Sequence, residues 1–200
     1  FDFVMKTQNL KFGEAVKMLA NLAGMQPYTF SKQDEEREKN WNKYKTIYSK
    51  YVEFYHNEIF KNTSASIAKE YIKKRSLTVN EVKNFKIGYV TSDLDFFEIL
   101  IKEFDENSLK NSGLFYFDEK KKKYVERFKN RIIFPINNIS GNPIGLGGRI
   151  MEEKNYLAKY INSPETPFFK KGSNLFNLDK ARKLSNKSES VFLVEGYMDV

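Results

Sequence analysis

The chain has 200 residues, of which 40% are hydrophobic, 30% charged and 16% aromatic, proportions typical of a folded chain rather than of a disordered one. It contains no cysteine and a single histidine, which excludes disulfides, thiolate zinc sites and histidine metal clusters within this sequence. No apolar run reaches the length of a membrane span, and the N-terminus lacks the features of a signal peptide. We therefore expect a cytoplasmic protein with no membrane partner.

The net charge of +8 is unevenly distributed. Eleven basic and four acidic residues lie between Arg127 and Lys183, so this segment carries +7 of the total. A localised excess of cations is what a surface for a polyanion requires. We therefore assign the basic region to residues 127–183.

The first half of the chain is predicted to be helical. Residues 10–23 keep helical spacing until Gly24 and Pro27 end the run. A linker follows, and the next helix begins near residue 40. One face of that helix is aromatic and apolar, as expected of a core face: Trp41, Tyr44, Tyr48, Tyr51, Tyr55 and Ile59. We interpret His56, which lies in the same run, as an ordinary helix residue.

Shorter elements follow in chain order. A helix is predicted over residues 66–74, and another begins at Thr78, which forms a capping box with Glu81. A strand is predicted over 86–90, and short helices over 95–104 and 106–110.

The pattern changes to strands from Leu114 onward. Strands 114–117 and 123–128 flank a charged hairpin turn, and strands 131–136 and 144–150 follow. A helix is predicted over 179–184. The apolar run 191–194 is typical of a strand buried on both faces, as in a parallel sheet.

Basic residues occur in three settings within this strand region. The four lysines 120–123 are expected to be solvated on the hairpin turn. Arg127, Lys129 and Arg131 alternate, so on a single strand they would share one face. Such a row fits either a phosphate backbone or a solvated sheet face.

The next two segments combine glycine, cations and rings. Gly145, Gly147 and Gly148 lie within a predicted strand, where glycine permits close approach of another chain, which we interpret as a nucleic acid beside Arg149. Residues 159–172 interleave cations with rings and amides, a combination that suits phosphates and nucleotide bases together.

Taken in order, these motifs resemble the bacterial replicative primase family, and the resemblance covers essentially the whole chain. The residues that carry it are Arg127-Phe128, Arg131, Phe134-Pro135-Ile136, Gly141, Gly145, Gly147-Gly148-Arg149, Lys159-Tyr160-Ile161-Asn162-Ser163-Pro164-Glu165-Thr166, Phe169, Lys171-Gly172 and Val194-Glu195-Gly196-Tyr197-Met198-Asp199-Val200.

The resemblance implies a fold, a function and a set of site residues. The fold class is α+β: a helical N-terminal part, a mixed and mostly antiparallel sheet, and then the first strand of a TOPRIM α/β unit. The activity implied is synthesis of short RNA primers on single-stranded DNA. Nucleic-acid and nucleotide contacts are implied for Arg127, Lys129, Arg131, Arg149, Lys159, Tyr160, Asn162 and Lys171. Lys129 stands where some relatives would have arginine.

The final motif, Glu195-Gly196-x-x-Asp199, resembles the first TOPRIM motif. The resemblance implies catalytic roles for Glu195 and Asp199, with Glu195 also a ligand of Mg²⁺ or Mn²⁺. The remaining ligands are expected beyond Val200. We therefore expect no tightly bound cofactor and no activity in this chain alone.

The same resemblance divides the chain. Residues 1–27 are expected to be the tail and linker of a zinc-binding module whose zinc ligands lie outside this sequence. Residues 28–187 form the N-terminal part of the polymerase domain, and 188–200 begin a truncated TOPRIM part. The implied partners are single-stranded DNA template, ribonucleotides and a replicative helicase, and we expect the chain to be monomeric.

Two alternatives remain at this point. One is another TOPRIM enzyme, a nuclease or a topoisomerase. The other is a non-catalytic module whose basic face binds nucleic acid.

Overall fold

The computed structural model describes residues 1–26, 31–152, 157–185 and 190–200. The chain divides into two compact units, Phe1–Asn42 and Lys43–Val200.

The first unit contains helix α1 (Asp2–Thr7), helix α2 (Phe12–Leu22) and the beginning of helix α3 (Lys32–Lys61). Helix α2 confirms the predicted helix, whereas α1 was not predicted. The stop signal is also confirmed, because Gly24 adopts a left-handed φ of +67° directly after the helix. Pro27 lies outside the described residues.

The predicted aromatic face of α3 is confirmed as a core face from Tyr48 to Ile59, which are buried in the second unit, whereas Trp41 and Tyr44 are only half-buried. Tyr51 and Tyr55 are fully buried, and Tyr48 and Ile59 are each 2% exposed. His56 lies beside them, and its Nδ1 atom is 2.8 Å from the carbonyl oxygen of Ile87. The histidine is therefore an internal residue with a backbone partner.

Five shorter helices lie among the described residues of the second unit: α4 (Ser66–Lys74), α5 (Val79–Asn84), α6 (Phe96–Leu100), α7 (Glu106–Asn111) and α8 (Leu178–Ser185). The predicted capping box of α5 is formed. Thr78 Oγ1 accepts from the backbone N–H of Glu81 at 3.2 Å, and Glu81 Oε2 accepts from that of Thr78 at 2.6 Å. Such a cap contributes about 1 kcal/mol of stability. Single 3₁₀ turns form at Thr63–Ala65 and Lys171–Ser173.

The strands confirm the α+β prediction. They are β1 (Gly88–Val90), β2 (Phe115–Asp118), β3 (Lys123–Glu126), β4 (Arg131–Asn137), β5 (Pro143–Ile150) and β6 (Tyr160–Asn162). Strands β1, β4, β5 and β6 form one sheet in that spatial order, and every neighbouring pair is antiparallel. Strands β2 and β3 form a separate hairpin.

Strand β4 lies at the centre of the core, and its first six residues are all buried. Ile133 packs in a cluster with the aromatic face of α3. Ile132 and Phe134 pack in a second cluster with residues of α4 and α5. The sheet is therefore covered on both faces at this strand.

The glycines of β5 accommodate side chains of the same chain. A Cβ atom at Gly145 would lie 2.8 Å from the ring of Phe169, and one at Gly148 would lie 2.5 Å from the ring of Phe128. Gly147 faces the ring of Tyr197 in the same way. The close approach that these glycines permit is made by internal aromatic rings, and this corrects our interpretation of a nucleic acid lying against them.

The apolar run 191–194 does not form the predicted strand. These residues belong to no strand, and their side chains are 66%, 88%, 83% and 40% exposed. A strand buried on both faces needs parallel neighbours and covering helices. The described residues supply neither around this segment.

No helix among the described residues has both the length and the apolar character needed to cross a bilayer.

Candidate nucleic-acid interface

The cations Arg127, Lys129 and Arg131 do not form a row on one strand, which corrects the prediction made from their spacing. Strand β3 ends at Glu126, and residues 127–130 form a turn before β4. Asn130 has a φ of +57°, a left-handed conformation that asparagine tolerates better than most residues. This turn breaks the two-residue alternation.

The two cations of this turn contact neighbouring protein groups. Arg127 Nε donates to the carbonyl oxygen of Gly113 at 3.0 Å. Lys129 Nζ lies 3.7 Å from Oε2 of Glu126, a carboxylate that is only 1% exposed. Glu126 also accepts from the backbone N–H of Phe96 at 2.6 Å. The turn is thus anchored to the hairpin and to α6.

Arg131 lies inside the sheet. Its side chain is 5% exposed, and Nη1 donates to the carbonyl oxygens of Gly148 at 3.4 Å and Lys159 at 3.3 Å. Burial lowers the pKa of Arg131, but an arginine still remains charged in a protein. Its cation therefore joins strand β4 to the backbone of β5 and to the residue before β6.

Arg149 is also buried, at 7% exposure, and lies against two aromatic rings. Its guanidinium carbon is 4.1 Å from the ring centre of Tyr71 and 6.0 Å from that of Tyr160. Burial raises the pKa of Tyr160, with Tyr71 adding to the rise and Arg149 opposing it. Tyr160 remains 40% exposed, so part of its ring faces solvent beside this buried cation.

The last residue of helix α4, Lys74, and the residue that follows it, Arg75, are basic residues that sequence reasoning missed. Tyr71, Lys74 and Arg75 line a cleft of about 560 Å³ together with Arg149 and Met151. Arg75 Nε donates to the hydroxyl of Tyr71 at 3.0 Å. The spacing of Tyr71, Lys74 and Arg75 at i, i+3 and i+4 was the available signal, because such residues share one helix face.

Two predicted cations, Lys159 and Lys171, have exposed side chains. Lys159 directly precedes β6, and Lys171 begins the second 3₁₀ turn, where its backbone N–H donates to Glu165 Oε1 at 2.8 Å. Unlike Arg131 and Arg149, these two side chains present their charge to solvent.

A second cleft, of about 360 Å³, brings three predicted site residues together. Asn162, Lys171 and Glu195 all line it, although they are distant in sequence. Its remaining lining is mostly apolar and includes Phe169 and Tyr197. The cleft thus combines an amide, a cation and a carboxylate.

The carboxylate motif forms a tight turn. Asp199 Oδ2 accepts from the backbone N–H of Gly196 at 3.0 Å, and the backbone N–H of Asp199 donates to the carbonyl oxygen of Gly196 at 3.1 Å. A Cβ atom at position 196 would lie 2.6 Å from Asp199 Oδ2, so a side chain there would displace this carboxylate. Glu195 and Asp199 both have exposed side chains.

These carboxylates do not complete a metal site. Within the part of the chain that the structure describes, no group of three or more carboxylate or histidine side chains could hold a metal ion. Magnesium needs several oxygen ligands at near-octahedral positions. The residues present therefore do not fit a self-contained site for Mg²⁺ or Mn²⁺.

The lysine-rich hairpin turn is solvated, as predicted. Lys122 Nζ lies 3.3 Å from Glu119 and Lys123 Nζ lies 2.6 Å from Asp95, and all four lysines have exposed side chains. Exposed pairs of this kind contribute little to stability. Variants of these lysines can therefore serve as controls for variants of the predicted interface.

Comparison with known proteins gives a consistent result. Residues 54–182 match the family model "DNA primase catalytic core, N-terminal domain". The DNA primase of Clostridium acetobutylicum is 39% identical over 202 residues, which cover 98% of this chain and 32% of that protein.

Solved structures agree with this match. The Aquifex aeolicus primase (zinc-binding and RNA polymerase domains) has a TM-score of 0.70 and 30% identity, covering 99% of this chain and 46% of that one. A DnaG primase catalytic domain bound to single-stranded DNA has a TM-score of 0.71 and 30% identity, covering 82% of this chain and 50% of that one.

The fold and the matched region define the N-terminal domain of a primase catalytic core. The chain belongs to the bacterial DNA primase family, and residues 54–182 form its catalytic-core N-terminal domain. The chain spans about a third of the length of the curated relatives it matches.

Proposed function

We propose that this chain is the part of a DNA primase that handles template and nucleotides during synthesis of RNA primers on single-stranded DNA. The observation that carries the proposal is the 360 Å³ cleft, which unites Asn162, Lys171 and Glu195. An amide and a cation can bind the base and phosphates of a nucleotide, and a carboxylate can supply one ligand of a divalent ion.

Template DNA is proposed to lie along the exposed residues near β6. Lys159 and Lys171 supply charge for phosphates, and the half-exposed ring of Tyr160 supplies a surface on which a base can stack. The buried cation of Arg149 lies near that ring and increases the positive potential there. The relative solved with bound single-stranded DNA supports this choice of ligand.

A ribonucleotide is proposed to occupy the cleft itself. Asn162 and Lys171 offer hydrogen-bond donors for phosphate or base oxygens. Glu195 lies on the same cleft, and we propose it as one carboxylate of a site for Mg²⁺ or Mn²⁺ that further residues of the full-length protein would complete. Such ions neutralise charge on the transferred phosphoryl group when bound.

The domain division and partners are proposals of the same kind. We propose residues 1–27 as the tail of a zinc-binding module. The Aquifex structure, which includes such a domain, covers 99% of this chain, and the catalytic domain alone covers 82%. A replicative helicase as partner rests on the family resemblance alone.

Changing Glu195 to Gln in the full-length protein tests the proposal. The amide keeps the size of the side chain but removes its charge, so we expect primer synthesis to fall by at least about a hundredfold. Binding of single-stranded DNA should remain within about twofold, because the exposed cations are unchanged. Radiolabelled ribonucleotide incorporation and fluorescence anisotropy measure the two quantities.

Glu119→Gln is the matched control, because Glu119 is an exposed carboxylate of the hairpin turn. It should retain normal synthesis. Full activity in the Glu195→Gln protein would remove the catalytic role that we propose for this residue.

A further inference from the structure

The ring of Tyr197 is fixed by three neighbours. It is stacked on Phe134, with ring centres 5.2 Å apart and planes within 4° of parallel. Phe176 contacts it edge-on at 5.0 Å and 89°. A Cβ atom at Gly147 would lie 2.6 Å from its hydroxyl oxygen, so only glycine leaves room for this ring.

The hydroxyl of Tyr197 makes one directed contact. It donates to Oδ1 of Asn162 at 2.5 Å. Burial raises the pKa of Tyr197 to about 12, so the hydroxyl keeps its proton near neutral pH. Asn162 pairs with Gly147 across β5 and β6, which places the glycine, the ring and the amide together.

This contact determines what Asn162 can offer to a ligand. An asparagine amide has an acceptor oxygen and a donor NH₂ group. Because the oxygen faces the tyrosine hydroxyl, the NH₂ group is the side left for a ligand. Asn162 would then favour a ligand with acceptor oxygens, such as a phosphate or a base carbonyl.

Tyr197 also links two parts of the candidate site. It lies between Glu195 and Asp199 in the carboxylate turn, whereas Asn162 belongs to strand β6. The aromatic contacts hold the turn against the sheet, and the hydroxyl alone reaches the amide. These two roles are separable by mutation.

We propose that Tyr197 is a positioning residue that orients the Asn162 amide, through the hydroxyl–Oδ1 hydrogen bond, as a donor toward the bound nucleotide. This inference rests on the proposed function, because the nucleotide is the ligand that Asn162 would meet. A purely structural tyrosine would need its ring but not its hydroxyl.

Tyr197→Phe in the full-length protein tests the inference, because it removes the hydroxyl and keeps the ring. We expect KM for ATP in primer synthesis to rise about three- to tenfold, the usual effect of one lost hydrogen bond, with kcat changed less than about twofold. In an Asn162→Ala background the same change should add nothing further. Tyr197→Leu, which also loses the ring contacts, should lower kcat as well.

Tyr55→Phe is the matched control, because it removes another buried tyrosine hydroxyl, which donates to Oε1 of Glu126 at 3.2 Å. It should leave KM for ATP unchanged. A second readout is the Asn162 side-chain NH₂ resonance in protein labelled with ¹⁵N-asparagine, identified by its loss in Asn162→Ala. Tyr197→Phe should shift this resonance.

The outcomes separate the inference from the proposed function. A wild-type protein that neither saturates with ATP nor makes primers would reject the proposed function, while the resonance would still test the Tyr197–Asn162 contact. If wild type is active and Tyr197→Phe changes neither KM nor the resonance, the inference is wrong. Additive effects of Tyr197→Phe and Asn162→Ala on KM would also overturn it.

Discussion

At the scale of single residues, the pairing of Gly147 with Tyr197 connects the sheet to the carboxylate turn. The missing side chain of Gly147 creates the space that the tyrosine ring fills. A methyl group there would overlap the ring, and the well-packed neighbours Phe134 and Phe176 restrict its movement.

Gly147→Ala should therefore destabilise the protein by about 1–3 kcal/mol, the usual cost of overfilling a packed site. Urea denaturation followed by circular dichroism measures the change. Gly172→Ala is the control, because no heavy atom beyond the adjacent residues lies within 4 Å of a Cβ at that position, and its effect should be within about 0.5 kcal/mol. Equal midpoints for Gly147→Ala and wild type would show that the ring does not occupy this space.

Sequence spacing did not predict where the candidate site residues lie in the fold. Arg131 and Arg149 were predicted as contacts, and both proved to be almost fully buried. The local sequence gives no sign of this burial, because the carbonyl acceptors of Arg131 and the tyrosine beside Arg149 come from distant segments. Burial of a strand arginine depends on tertiary contacts, which spacing alone does not encode.

At the scale of elements, helix α7 illustrates how a cap and an ion pair combine. Asp105 Oδ1 accepts from the backbone N–H of Ser108 at 2.9 Å, and its Oδ2 lies 2.9 Å from Lys43 Nζ. The hydrogen bond from Lys43, followed by those from Ser108, lowers the pKa of Asp105 to about 2.

This shift predicts a pH dependence. Because the folded pKa is below the unfolded value of about 3.9, the ionised Asp105 stabilises the fold above that value, and this contribution is lost as pH falls toward 2. The melting temperature of Asp105→Asn should therefore be lower than that of wild type near neutral pH. The difference should shrink between about pH 4 and pH 2.

Lys43→Met removes the largest cause of the lowered pKa of Asp105. The difference in melting temperature between Lys43→Met and wild type should therefore also shrink as pH falls from about 4 to 2. A difference between Asp105→Asn and wild type that stays constant down to pH 2 would contradict this account of the cap.

Elements with a strong local signal were predicted well. Helix α4 and the capping box of α5 follow from periodicity and cap chemistry, and the hairpin β2–β3 follows from its charged turn. The turn at 127–130 was not predicted. The alternating cations are compatible with a continuous strand, and the left-handed conformation of Asn130, which interrupts it, has no clear signal in the sequence. The strand at 191–194 was predicted from apolarity alone, and apolarity does not supply the neighbours that a buried strand needs.

At the scale of the whole molecule, the basic region 127–183 contains both buried and exposed cations. Arg131 and Arg149 are buried, while Lys159 and Lys171 are exposed. Only the exposed cations can release counterions by contacting phosphates directly. The net charge of the basic region therefore overstates the number of DNA contacts.

The hairpin lysines Lys121 and Lys122 allow a comparison in which the same number of charges is removed from a different surface. Lys121 and Lys122 are exposed and lie beside Asp118 and Glu119. Replacing both with Ala removes the same charge as replacing Lys159 and Lys171. A difference between the two double variants would therefore report position rather than net charge.

The most direct test of the proposed interface is the salt dependence of single-stranded DNA binding, measured by fluorescence anisotropy for wild type and these two double variants. We expect affinity to fall with rising salt, with a slope of log K against log salt of about −0.7 for each phosphate contact. Lys159→Ala/Lys171→Ala should weaken binding and make the slope less negative by about 1.4, whereas Lys121→Ala/Lys122→Ala should leave it nearly unchanged. Equal losses in both double variants, or binding that does not depend on salt, would contradict a defined interface around strand β6.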